Sequence, residues 1–92
     1  MSSVYILYSK KIDQYYIGYT TDMENRLEQH NTKVYTGAQT SRADDWEVVF
    51  RLECRDKKQA ILIERFIKNM KSKVFNLKLI ESGGLWLLEK FN

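Results

Sequence analysis

The chain has 92 residues, which allows one compact domain with a single core and excludes a second catalytic lobe, so we expect one domain over residues 1–92. Apolar residues make up 43% and charged residues 29%, a balance typical of a folded protein. The net charge of +3 permits a phosphate-rich partner but does not require one. No apolar run is long enough to cross a bilayer and no signal peptide is evident. We therefore expect a cytoplasmic protein that does not bind membranes.

Thiol and imidazole groups are scarce, because the chain has one cysteine, Cys54, and one histidine, His30. These are too few for an intrachain disulfide or for a structural zinc site. Any divalent metal should therefore be bound by oxygen atoms, which magnesium and manganese prefer. Cys54 falls on the inward face of a predicted strand with no evident base beside it, so a thiol hydrolase is not expected.

The chain begins with two segments that favour β-strands, residues 4–8 and 15–20, both rich in β-branched and aromatic residues. A short polar segment joins them, which predicts an antiparallel hairpin. Tyr5 lies on the first strand, and Tyr16 and Gly18 share one face of the second. Glycine within a strand often marks the close approach of a ligand or another chain. Tyrosines are also common on half-buried strands that carry no site.

A helix is predicted after the hairpin, from Thr21 to about Asn31, because Thr21 and Glu24 form a capping box. Arg26 and His30 are four residues apart and share one face of this helix. A cation beside an imidazole suits an anionic partner such as a phosphate. A solvated helix face explains the same pair without any site.

A long polar loop over residues 32–45 precedes the third predicted strand, residues 46–54. Loops of this length in small domains tend to be functional or mobile. Within the strand, apolar residues alternate with mostly polar ones. This alternation predicts one buried face formed by Trp46, Val48, Phe50, Leu52 and Cys54.

Two further helices are predicted near the end of the chain. Asp56 and Gln59 form a second capping box, which opens a helix that runs to about Met70. A third helix begins near Ser72 and ends at Gly83-Gly84. The predicted order is β-β-α-β-α-α, which indicates an α+β fold with a small, mostly antiparallel three-stranded sheet flanked by helices.

The first of these two helices has an unusual acidic residue. Glu64 lies at the edge of an apolar face formed by Ala60, Ile63 and Ile67. A carboxylate in that position should be ion-paired, protonated or bound to a metal, because burying it without a partner is unfavourable. From the spacing alone, a salt bridge is the simpler explanation.

These residues together resemble the GIY-YIG nuclease superfamily. Val4-Tyr5-Ile6 and Tyr16-Ile17-Gly18 are similar to its two name motifs, with Val4 in place of the first glycine. The resemblance covers residues 4–80 and is especially to small stand-alone bacterial members, which are similar to the nuclease module of the excision-repair incision enzyme. The remaining residues that match this pattern are Arg26, His30, Glu64 and Asn76.

The resemblance implies a magnesium-dependent endonuclease that hydrolyses phosphodiester bonds in nucleic acid, with DNA as the expected substrate. Manganese is expected to substitute for magnesium, and DNA repair or recombination is the expected setting. By the same resemblance, Glu64 is the metal ligand, Tyr5 is the general base or orients the attacking water, and Arg26 binds the scissile phosphate. His30 either relays the proton or orients Tyr5, and the sequence does not distinguish between these two roles.

The resemblance also implies roles for residues around these groups. Tyr16 donates a hydrogen bond to the nucleophile or the phosphate. Asn76 supports Glu64 or a neighbouring backbone group, and Gly18 supports the site beside the two tyrosines.

Two alternatives to an enzyme stay open. One is a nucleic-acid-binding module of the same fold without turnover. The other is a protein-interaction domain that uses the apolar run Leu85–Leu88, which either packs on its own core or pairs with a second copy or another protein. Basic residues outside the predicted site follow a substrate backbone or serve only solubility. They are Lys33, Arg42, Lys68, Lys71 and Lys73.

Overall fold

The computed structural model describes residues 2–22, 31 and 43–92. Most of the first predicted helix and of the predicted loop at 32–45, including Arg26 and His30, lies outside these residues. Among the residues that the structure describes, no helix combines the length and the apolar character that a membrane span requires. The described elements are β1 (Ser2–Ser9), β2 (Gln14–Thr20), β3 (Glu47–Cys54), α1 (Lys57–Met70), α2 (Lys73–Ser82) and α3 (Leu85–Lys90).

The three strands form one antiparallel sheet in the order β2-β1-β3, which confirms the predicted α+β fold. In the central strand, Tyr5 pairs with Gly18 of β2 and with Arg51 of β3. Strand β1 is buried on both faces, because Val4 and Tyr5, which point to opposite sides, are 0% and 1% exposed.

Alternate side chains of β1 belong to two core clusters. The larger cluster lies between the sheet and the helices and contains Val4, Ile6, Phe50, Leu52, Cys54, Ala60, Ile63, Ile67, Leu79 and Leu87. The smaller cluster lies on the opposite face of the sheet and contains Tyr5, Leu7, Ala43 and Trp46. The candidate site is built beside the two tyrosines that belong to or border this second cluster.

The prediction of a single buried face on β3 is wrong, because the strand contains a bulge. Ile6 pairs with Phe50, but the next residue, Leu7, pairs with Val48. Since side chains alternate with a period of two, the extra residue moves the first part of the strand to the other face. Trp46 therefore belongs to the smaller cluster, and Val48 is 37% exposed.

Side-chain hydrogen bonds fix the segment that enters β3. The side-chain amide of Asn31 brackets the backbone of Trp46, donating to its carbonyl at 3.0 Å and accepting from its N–H at 2.7 Å. Asp45 accepts from the Ser9 hydroxyl at 2.6 Å and from the Lys11 backbone N–H at 3.1 Å. The bond from Ser9 is the main reason that the pKa of Asp45 lies below its usual value.

The predicted caps of helices α1 and α2 are confirmed, with one difference. Asp56 accepts from the Gln59 backbone N–H at 2.8 Å, and this bond lowers the pKa of the Asp56 carboxyl. The Gln59 side chain accepts from the N–H of Arg55 at 2.7 Å, one residue before the position that a regular capping box uses. Ser72 caps α2, which ends at Gly83 in the left-handed conformation.

Helix α3, which was not predicted as a helix, folds back onto the core. Leu87 is completely buried, and Trp86 packs edge-on against Phe66 and Phe75 with ring centroids 6.2 and 6.5 Å away. Leu85 and Trp86 are still 69% and 42% exposed. Pairing of this segment with a second copy or another protein stays a prediction.

Two adjacent glycines, Gly83 and Gly84, precede α3 and differ in how closely other side chains approach them. Both have positive φ, 80° at Gly83 and 72° at Gly84, so alanine is strained at either position. A Cβ at Gly84 would lie 2.7 Å from Cζ of Phe50, whereas a Cβ at Gly83 meets nothing within 4 Å.

We expect Gly84→Ala to lower the free energy of unfolding by about 1–3 kcal/mol more than Gly83→Ala, measured by urea denaturation. Equal losses would contradict a packing requirement at Gly84.

Candidate active site

A cavity of about 390 Å³ lies between the β1–β2 hairpin and helix α1. Its lining is polar, consisting of hydroxyl-bearing side chains, one glycine, one lysine and one carboxylate. The lining residues are Ser2, Tyr5, Tyr16, Gly18, Tyr19, Thr20, Thr21, Lys57 and Glu64. The structure therefore brings four of the predicted site residues, Tyr5, Tyr16, Gly18 and Glu64, to one cavity.

The Tyr5 ring lies directly over the backbone of Gly18, its partner across the sheet. A Cβ at Gly18 would be 2.6 Å from the Tyr5 hydroxyl oxygen and 2.7 Å from Cζ of the same ring. The close approach expected at this glycine is thus made by a side chain of the domain itself. Because Tyr5 is only 1% exposed, packing holds its hydroxyl at a defined position on the cavity wall.

Tyr16 lies beside Tyr5 on the same face of the sheet. Its partner on β1 is Leu7, two residues after Tyr5, so register and alternation place both rings together. The ring centroids are 6.3 Å apart with an interplanar angle of 37°. Tyr16 is half-buried, and Nζ of Lys68 lies 5.7 Å from its ring centroid, within the range of a cation–π contact.

Glu64 lies where the buried side of α1 meets the cavity. Ile63 and Ile67 on the same helix are 0% and 1% exposed, and the Glu64 side chain is 14% exposed. Nζ of Lys68 is 3.5 Å from the Glu64 carboxylate, so the salt bridge that the spacing favoured is present. The same carboxylate also lines the cavity.

The donor atoms of the cavity fit a hard cation with few protein ligands. Apart from the Lys57 ammonium, which is not a metal ligand, the polar side-chain atoms of the lining are oxygens, and Glu64 supplies the only carboxylate among the described lining residues. The described part of the chain contains no group of three or more His, Cys, Asp and Glu side chains arranged to bind a metal. Magnesium typically binds through one or two carboxylates and keeps several water ligands, so a single glutamate suffices.

Asn76 lies in a different cavity, of about 360 Å³, beside Ile17 and Ile67. The residue is 7% exposed, and its Oδ1 accepts no hydrogen bond from any residue that the structure describes. Because Asn76 does not line the Glu64 cavity, its predicted support of Glu64 stays a prediction. The roles of Arg26 and His30 also stay predictions, since both residues lie outside the described ranges.

Lys57 lines the cavity but was not among the residues predicted from the sequence. It precedes Glu64 by seven residues, which is two helical turns, so both side chains lie on one side of α1. The seven-residue spacing from Glu64 is the sequence feature that could have predicted Lys57 as a lining residue. Thr20, which ends the strand that carries Tyr16, and Thr21, which follows it, also line the cavity and were also unpredicted.

Cys54 takes no part in this cavity. It is 2% exposed within the larger core cluster, and burial is the main cause that raises the pKa of its thiol. A raised pKa lowers the fraction of thiolate, which is the nucleophilic form. The expectation that the chain is not a thiol hydrolase is therefore supported by the position of Cys54.

The fold and the cavity together describe a small α+β domain with paired tyrosines and one carboxylate around a polar site. The chain matches the GIY-YIG catalytic domain over residues 1–78. It therefore belongs to the GIY-YIG family, and its domain is of the nuclease type, with nucleic acid as its class of substrate. Helix α3 lies beyond the matched residues. No curated protein and no solved structure matches the chain.

A double-mutant cycle tests the contact between Gly18 and Tyr5. We expect Gly18→Ala to lower the free energy of unfolding by about 1–3 kcal/mol, because the new Cβ overlaps the Tyr5 ring. In a chain that already carries Tyr5→Phe, which lacks the nearest atom, the loss should be smaller by about 0.5 kcal/mol or more. Urea unfolding of the four chains measures this coupling, and strictly additive losses would contradict the contact.

Proposed function

We propose that this chain is a magnesium-dependent endonuclease that hydrolyses phosphodiester bonds in DNA, with a role in repair or recombination. One observation carries the proposal. Tyr5, Tyr16 and Glu64 come from three different elements and line a single polar cavity, in a chain that belongs to the GIY-YIG family. Neither tyrosine is adjacent to Glu64 in sequence, so their convergence depends on the tertiary fold.

Glu64 would hold the magnesium ion. The buried side chains of Ile63 and Ile67 fix this part of α1 against the sheet, so the carboxylate is presented from a rigid support. Bound there, magnesium supplies positive charge that stabilises the developing charge on the phosphoryl group and on the leaving oxygen.

Tyr5 would position the attacking water. The water oxygen forms a bond to phosphorus and gives up one proton, the bond from phosphorus to the 3′ oxygen breaks, and that oxygen takes up a proton, so the overall proton count is unchanged. Because a free phenol is mostly protonated at neutral pH, orienting the water by a hydrogen bond demands less of Tyr5 than removing its proton. The contact with Gly18 supports this role, since it fixes the hydroxyl of an almost fully buried ring.

The remaining roles in the proposal follow the family pattern. Tyr16 donates a hydrogen bond to the water or to the phosphate from its position beside Tyr5. Arg26 binds the scissile phosphate through its planar set of donors. His30 relays a proton or orients Tyr5, and Asn76 supports Glu64 or a neighbouring backbone group.

Metal dependence is tested by comparing magnesium with EDTA and wild type with Glu64→Gln. We expect no cleavage in EDTA. For Glu64→Gln we expect kcat/KM to fall by more than about 100-fold, because substitution of residues that only support a metal ligand typically costs about 10- to 100-fold and Glu64 is the proposed ligand itself. Glu81→Gln, an exposed glutamate on α2, is the matched control and should keep full activity. Plasmid nicking and cleavage of labelled single strands and flaps provide the measurements. Cleavage that survives both EDTA and Glu64→Gln would refute the proposed metal site.

The part played by the Tyr5 hydroxyl is tested with Tyr5→Phe, which keeps the ring. We expect the rate to fall by about 100-fold or more, the usual contribution of a positioned acid–base group. Tyr8→Phe is the matched control, because it removes a hydroxyl from the same strand that bonds Asp13 at 2.7 Å, outside the cavity. Thermal unfolding should change modestly in both variants, consistent with about 0.5–1.5 kcal/mol per hydrogen bond. An unchanged rate for Tyr5→Phe would remove Tyr5 from the reaction.

A further inference from the structure

Two further cavities continue from the Glu64 cavity along strand β2. One of about 320 Å³ is lined by Tyr15, Tyr16, Ile17 and Lys68, and it shares Tyr16 with the Glu64 cavity. The cavity that contains Asn76 shares Tyr15, Ile17 and Lys68 with it. Because neighbouring cavities have lining residues in common, the three cavities form a row along β2. We call this row the β2 groove, since β2 is an edge strand of the described sheet.

The β2 groove is strongly cationic. Four lysines line it, and Glu64 is the single carboxylate among its described lining residues. Lys57, Glu64 and Lys68 are separated by seven and four residues, which places them along one side of α1. Lys57 begins α1 and Lys71 is its C-cap, so the two residues mark the ends of the groove, separated by the helix length of about 20 Å at 1.5 Å per residue.

The positive charge is least compensated at the two ends. Lys68, in the middle, pairs with Glu64 at 3.5 Å, and Lys73 pairs with Asp13 at 3.3 Å. Neither Lys57 nor Lys71 forms an ion pair with a residue that the structure describes. A polyanion placed in the groove would therefore meet a cation on each side of the Glu64 carboxylate.

Aromatic rings accompany these lysines. Tyr15, Tyr16 and Tyr19 are half-buried and line the groove from both faces of the edge strand. Grooves that bind single-stranded nucleic acid combine cationic side chains, which follow the phosphates, with aromatic rings on which unpaired bases stack. Paired bases in a duplex do not offer their faces in this way, so the rings favour a single strand.

We propose that a single-stranded segment of nucleic acid lies along the β2 groove, with phosphates on Lys57 at one end and Lys71 at the other. This inference rests on the proposed function, which places the scissile phosphate at Glu64 between those two ends. The strand is then bound on both sides of the bond to be cut, and double-stranded segments of a substrate lie outside the groove.

Equilibrium binding in EDTA tests this path with cleavage switched off. A labelled thymidine oligonucleotide of about 12 nucleotides should bind at least about tenfold more tightly than a duplex of the same length, as the stacking of one base provides. Fluorescence anisotropy over about 50–200 mM salt gives the slope of log affinity against log salt concentration. Lys57→Gln and Lys71→Gln should each reduce that slope by about 0.7, the value for one phosphate contact of a single strand.

Matched controls come from the same helices. Lys58→Gln on α1 and Lys78→Gln on α2 remove exposed lysines that do not line the groove, and the slope should stay at its wild-type value. Glutamine keeps the Cβ of Lys71, so the substitution adds no strain to its left-handed backbone at φ 47°. The double variant at Lys57 and Lys71 should lower the slope by about 1.4.

The outcomes separate the groove from the catalytic proposal. Equal slopes for groove and control variants would overturn the groove, and so would a duplex that binds as tightly as the single strand. A wild-type chain that shows the expected slopes but never cuts in magnesium would leave the groove intact and refute the proposed nuclease. Cleavage in magnesium together with unaffected slopes would refute the groove alone.

Discussion

The contact between the Tyr5 ring and the Gly18 backbone is the constraint on which the site depends. It requires the hairpin register that pairs these two residues, and it requires the absence of a side chain at Gly18. The same register places Tyr16 beside Tyr5 on one face of the sheet. A slip of one residue would turn Tyr16 to the other face, because strand side chains alternate. The hairpin register therefore determines the relative position of the two phenols.

Helix α1 forms the wall of the cavity that faces the β1–β2 hairpin, and it contributes Lys57 and Glu64. Its inward residues, among them Ile63 and Ile67, join the larger core, so the helix is held firmly against the sheet. Glu64 lies at the margin of that buried side, mostly shielded from solvent but still lining the cavity. A carboxylate in this position is partly desolvated, and the pair with Lys68 offsets part of that penalty. The core therefore fixes the position of the Glu64 carboxylate and limits its contact with water.

The region beyond the family match adds packing to the domain. Helix α3 buries Leu87 in the larger core, and Gly84 allows the chain to pass close to Phe50 before that helix begins. The β2 groove lies along α1 and the start of α2, within the matched residues. In this domain the groove and the Glu64 cavity share one helix and one strand, so the proposed strand-binding path and the candidate active site depend on the same packing.

Much of the local structure was predictable from short-range patterns. The hairpin strands, the caps at Asp56 and Ser72 and the helix stop at Gly83 depend on residues a few positions apart. The position of Glu64 at the edge of an apolar face follows in the same way from helical periodicity. Such interactions form within one element, so the order of residues is sufficient to specify them.

Contacts between distant segments decided the remainder. The bulge that moves Trp46 to the smaller cluster arises where β3 pairs with β1, and the sequence of β3 alone does not predict it. The ring of Tyr5 over Gly18 depends on the pairing register of β1 and β2. The place of Lys57 in the cavity and that of Asn76 outside it depend on how α1 and α2 pack against the sheet. These features were set by the tertiary structure because each is a steric fit between surfaces that come together only when the chain folds.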